Sequence, residues 1–88
     1  MPNYKIELTG HAEKTLRRIA EREPALYARV AQALDELERD PFQGKPLKGE
    51  LKGHYSYRIG SYRVIYVIHR HQLLVVVIDI GHRRDIYR

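Results

Sequence analysis

Eighty-eight residues without a cysteine make one small domain, residues 1–88, with a modest core and neither a disulfide framework nor a thiolate metal site, so the cytoplasm is the expected location. The longest uninterrupted apolar run, residues 73–78, is six residues against the roughly 18 that a membrane span needs, and "MPNYKIEL" lacks a signal-peptide apolar region, so neither membrane insertion nor export is expected. The net charge of +5 is uneven: residues 1–40 carry seven basic and eight acidic side chains and residues 41–88 nine and three, a basic half suited to nucleic acid or an acidic protein.

The segment "NYKIEL" alternates Tyr4, Ile6 and Leu8 with Asn3, Lys5 and Glu7, the period of a half-buried strand. Thr9 then offers an N-cap hydroxyl, and Ala12, Leu16 and Ile19 recur at helical spacing through "HAEKTLRRIAER". Pro24 suits the first turn of a second helix, whose apolar stripe is Leu26, Val30, Ala33, Leu34 and Leu37 and which ends near Asp40 and Pro41. The short link between the two predicts an antiparallel helical hairpin. "DPFQGKPLKGELKG" holds three glycines, two prolines and three lysines and reads as a mobile basic connector. Beyond it, "HYSYRI", "YRVIYVIH" and "QLLVVVIDI" are three strand signals joined by short turns, which predict an antiparallel meander. The third is apolar on both faces and suits a central position. The expected fold is α+β: a four-stranded sheet with the helical hairpin packed on one face.

Gly60 and Ser61 as the two loop residues of a tight hairpin would pair Ile59 with Tyr62 and set Arg58 directly opposite Arg63, on a face that continues toward Ser56 and Ile65. Like charges so opposed are destabilising, which makes sense if an anion sits between them; a shifted register, or guanidiniums splayed into water, is the other reading. The terminal "IGHRRDIYR" is either a solvated tail or one wall of the same site, with Gly81 permitting a bend that turns His82, Arg83 and Arg84 toward the arginine pair. Arginine matches phosphate oxygens, tyrosine stacks on bases and histidine exchanges protons, so the cluster and the Lys45, Lys48, Lys52 loop suit RNA. His69 and His71 read as exposed turn residues without a metal-site spacing, and Asp79 and Asp85 as ion-pair partners of nearby arginines. Glu13, Glu21 and Glu23 fall on a solvated helical face. No glycine-rich nucleotide fingerprint or Gly-x-Ser-x-Gly elbow occurs.

The order of elements, with "PLKGELKG" leading into "YRIGSYRVIYVI" and "VVVIDIGHRRDIYR", resembles the RelE/ParE toxin superfamily of type II toxin–antitoxin systems over essentially the whole chain, and the "IGHRRDIYR" ending resembles its RelE branch. The resemblance implies a RelE-like fold and a ribosome-dependent endoribonuclease that cleaves mRNA by attack of the 2′-hydroxyl, without metal or cofactor. It also implies a RelB-like antitoxin with an acidic segment as partner, and contact with operator DNA only through the toxin–antitoxin complex. By position, Arg63 would act at the scissile phosphate, with Arg58 near it. Arg83, or Arg84 in the alternative register, would stabilise developing charge, and Tyr87 would stack on or orient a base. Lys45, Lys48, Lys52, Arg84 and Arg88 complete the expected RNA contacts, and His82 is the preferred acid or base. Ser56 departs from the pattern, standing where RelE has a lysine implicated in proton abstraction; either Lys52, Arg58 or His82 substitutes, or the reaction is slow. A ParE-like inhibitor of DNA gyrase, without nuclease activity, and an inactive homologue that only binds antitoxin are the alternative readings.

Overall fold

Thr9 ends the first strand and starts the first helix, because its Oγ1 accepts a hydrogen bond from the Ala12 N–H (3.2 Å) and donates to the Ile78 carbonyl (3.4 Å). In the computed structural model, which describes residues 3–82 and 84, the elements are β1 (Lys5–Leu8), α1 (Gly10–Arg22), α2 (Pro24–Arg39), β2 (Lys45–Pro46), β3 (His54–Ile59), β4 (Tyr62–His69) and β5 (Leu74–His82). Only Glu23 separates the helices: its N–H closes α1 on the Ile19 carbonyl, and Pro24 opens α2 where a missing N–H costs nothing. The helical hairpin packs as expected, with Ala12, Ile19, Val30, Ala33 and Leu37 meeting Ile59, Val64, Tyr66, Val75, Val77 and Ile80 of the sheet in one core. Full burial of a side chain such as Leu37 is worth about 1.5–3 kcal/mol.

Among the described residues the sheet has five strands in the order β1-β5-β4-β3-β2, not four, and it is mixed: β1 runs parallel to β5 while the other pairs are antiparallel. The fifth strand, Lys45–Pro46, comes from the stretch expected to be a mobile connector. Two residues are too few to show a period-2 pattern, and a proline is tolerated because β2 is an edge strand. Hydrogen bonds order the first part of this stretch, as far as Leu47: Asp40 Oδ1 accepts from the Phe42 N–H, Gln43 Nε2 donates to the carbonyls of Glu36 and Asp40, and the Leu47 N–H donates to the His54 carbonyl. The antiparallel meander of β3, β4 and β5 is as the pattern suggested, with β5 held between β1 and β4 as its two apolar faces require.

Both ends of β5 differ from expectation. Arg70–Gln72 form a 3₁₀ turn that Leu73 terminates at φ 51°, so the strand starts at Leu74. At the other end Gly81 makes no bend: it pairs with Arg63, and His82 with Tyr62, so the ladder continues to the end of the hairpin. A register shift opposite Ile65 and Tyr66 absorbs Ile78 as an extra residue. Among the described residues no helix is long and apolar enough to cross a membrane.

Candidate functional site

The β3–β4 hairpin takes the register that the sequence suggests, with Ile59 paired to Tyr62 and Arg58 to Arg63. Gly60 has φ 59° and Ser61 does not share its sign, the glycine-first pattern of two-residue hairpin loops. The two arginines lie on the sheet face opposite the helices, yet in different surroundings. Arg58 is exposed and its Nε donates to the Gly60 carbonyl (3.3 Å), whereas Arg63 is half-buried. The register is not shifted, and of the two guanidinium-bearing side chains only that of Arg58 is exposed. A Cβ built on Gly60 would lie 3.4 Å from both terminal nitrogens of Arg29, so a further guanidinium from α2 stands beside the turn.

An open cleft of about 1430 Å³ runs over this face, and Lys45, Lys48, Arg58, Arg63, His82 and Arg84 line it. Six of the residues singled out from sequence therefore border it, His82 only from the end of β5: with no bend at Gly81 its ring packs on Tyr62, on the helix side of the sheet, and is not turned onto the arginine face. Ser56 also lines the cleft but is only 3% exposed, with Lys45 directly across from it on one side and Ile65 on the other. Lys52 is exposed in the turn before β3 and is not a lining residue. Arg83, Asp85, Tyr87 and Arg88 lie outside the described residues.

His82 meets Tyr62 edge-on, with ring centroids 5.4 Å apart at 79°. Its Nδ1 accepts a hydrogen bond from the Arg84 N–H (3.2 Å), which in the neutral ring assigns the proton to Nε2. Among the described residues the partner of Asp79 is not an arginine but His11, whose Nε2 lies 3.0 Å from Oδ1, because the parallel placement of β1 brings the start of α1 beside β5. His69 and His71 are exposed, and among the described residues no three of His, Asp and Glu come together as a metal site would require.

Sequence reasoning overlooked the Tyr66 anchor. Its hydroxyl donates to the Pro41 carbonyl (2.6 Å) and accepts from the Gly44 N–H (3.1 Å), and the ring is wholly buried against Tyr55. Burial, more than the charges of its neighbours, pushes this phenol up to about 12. The available signal was a tyrosine on the apolar face of β4, since a buried phenol needs a hydrogen-bond partner. Arg29 carried no signal, because only the tertiary packing of α2 brings it to the turn.

A helical hairpin sealing one face of a mixed sheet, with a cationic cleft open on the other, defines a small α+β protein of the RelE-like fold. The profile of the ParE toxin of type II toxin–antitoxin systems matches residues 6–87. Toxin RelG of Mycobacterium tuberculosis is 40% identical over 86 residues, 97% of each chain, and toxin RelE of the same organism is 36% identical over 97% of this chain and 87% of its own. The toxin–antitoxin complex RelBE2 of M. tuberculosis superposes with a TM-score of 0.82 at 35% identity, covering 94% of each chain. The chain belongs to the ParE toxin family of type II toxin–antitoxin systems and is RelE/YoeB-like among them.

Proposed function

We propose that this toxin is a metal-independent, ribosome-dependent endoribonuclease that cleaves mRNA and is neutralised by a cognate antitoxin. The observation that carries the reading is the opposed Arg58–Arg63 pair inside a cleft completed by Lys45, Lys48, His82 and Arg84. In the reaction, the 2′-hydroxyl oxygen of the RNA bonds to the adjacent phosphorus and the bond to the 5′-oxygen breaks, leaving a 2′,3′-cyclic phosphate. The attacking oxygen loses a proton and the departing one gains one. Arg63 stabilises the charge that develops on the phosphate oxygens, Arg58 and the lysines hold the strand in line, and His82, at the rim of the cleft, is the candidate acid or base. Arg83 and Tyr87 keep the roles the resemblance implies, as charge stabiliser and base platform, Arg88 keeps its expected RNA contact, and Lys52 holds RNA outside the cleft.

The cationic face suits a RelB-like acidic segment as well as RNA, and the structural relative is itself a toxin–antitoxin complex. Operator DNA is then reached only through that complex, and the protein acts in the cytoplasm. A second reading, gyrase inhibition without nuclease activity, draws on the ParE profile and on Ser56, which is buried where the resemblance implies a lysine.

The test is primer extension on mRNA after induced expression, comparing wild type with Arg63→Ala. Cuts that follow the reading frame and vanish in the variant are expected. Toxicity without cuts would move the assignment to gyrase, and no toxicity would leave an antitoxin-binding remnant.

A further inference from the structure

Strand β2 is two residues long, too short to fix its own position, so the segments flanking it decide where Lys45 stands. Gly44 is tied to the Tyr66 hydroxyl by its N–H at 3.1 Å, and the same hydroxyl holds the Pro41 carbonyl at 2.6 Å. The cross-strand pairs Tyr66–Tyr55 and Tyr55–Pro46 make one row across β4, β3 and β2, and the Tyr55 and Tyr66 rings stack with centroids 5.6 Å apart. The next row, on the cleft face, is Ile65, Ser56, Lys45. A Cβ on Gly44 would fall 2.1 Å from the phenol oxygen, so only glycine at this position permits the bond. The anchor is thus built from a buried ring, a glycine without alternative and two backbone groups.

We propose that Tyr66 is a positioning residue, whose hydroxyl sets β2 so that Lys45 stands across from Ser56 and shares one phosphate with Arg58 and Arg63. This inference rests on the ribonuclease reading. It accounts for Ser56: a short buried side chain leaves the space above β3 to the ammonium that arrives from the edge strand. Lys48 and Lys52 have no strand pairing that fixes them against this row. Tyr66 touches no substrate and acts only through Lys45.

The test is a double-mutant cycle of Tyr66→Phe and Lys45→Met, reading kcat and KM for mRNA cleavage on programmed ribosomes. Phenylalanine keeps the stack with Tyr55 and removes the oxygen. Each single change should lower kcat/KM roughly 10- to 100-fold, the scale on which small misplacements of a reacting group are felt. In the Lys45→Met background, Tyr66→Phe should cost less than about threefold, because its effect travels through the missing amine. Val75→Ala, a core change of comparable effect on thermal stability, should add in full to Lys45→Met. Full additivity of Tyr66→Phe, or unaltered cleavage by that variant, would overturn the proposal. A readout independent of activity is the set of Lys45–Ser56 cross-strand NOEs. Their loss in Tyr66→Phe, with the β3–β4 set retained, supports the anchor even if the wild type cuts no RNA, whereas their survival refutes it.

Discussion

Arg58 lies directly opposite Arg63 across the β3–β4 ladder, the first bonded to the turn carbonyl of Gly60 and the second half-buried in the cleft. Opposed like charges work against the hairpin by roughly 0.2–1 kcal/mol, so the pair is better explained by a ligand than by the fold. Arg58→Met keeps the aliphatic stem and removes one charge. Its stability in urea should equal or exceed the wild type by up to about 1 kcal/mol, while cleavage falls. Arg63→Ala should lose about 10²- to 10³-fold in cleavage rate, the usual effect of removing one well-placed donor. A marked loss of stability in Arg58→Met would show that the pair serves the hairpin instead.

The register that creates this pair depends on Gly60. At φ 59° a side chain is strained, so Gly60→Ala should cost about 1–2 kcal/mol, and Gly60→Asn less because asparagine visits this region more readily. Thermal melts of the two variants test the order. Equal melting temperatures for alanine and glycine would mean that the turn adopts another conformation.

This hairpin was legible because local chemistry determined it: a Gly-Ser loop between two alternating runs admits few registers, and each places the arginines near one another. The helices were legible for a similar reason, from Thr9, Pro24 and the apolar spacing between them. Strand β2 was hidden because its pairing is supplied from elsewhere. Nothing in Gly44, Lys45 and Pro46 signals a strand until Tyr66, 22 positions along the chain from Gly44, provides the oxygen that holds them. Gly81 misled for the opposite reason. Its lack of a side chain permits a bend, but the neighbouring β4 ladder offers hydrogen bonds that keep it extended. The candidate site is therefore local at Arg58 and Arg63 and tertiary at Lys45, with Arg29 and His82 brought to its edge by the fold.

The cleft also divides the lysines. Lys48 lines it and Lys52 does not. Binding of single-stranded RNA releases about 0.7 of a counterion per phosphate neutralised. Lys48→Ala should therefore lower the slope of log affinity against log salt by about that amount. Lys52→Ala should change the slope less, and titrations at several salt concentrations compare the two. The reverse order would place the RNA path over the turn before β3.

Tyr66 links the site to alkaline stability. Burial raises its phenol from the ordinary value near 10 to about 12, so the folded state retains a proton that the unfolded chain has already lost between those pH values. Its contribution is fully present below about pH 10 and declines as pH rises toward 12, by roughly 2–3 kcal/mol in all. Tyr66→Phe starts from lower stability, since two buried backbone groups lose their partner, but it has no phenol to ionise at this position. Urea midpoints measured from pH 9 to 12 should therefore converge, the wild type falling more steeply than the variant. Parallel curves would mean that the hydroxyl ionises as readily in the fold as in the unfolded chain, which is incompatible with an oxygen donating to Pro41 and enclosed beneath β2 and β3.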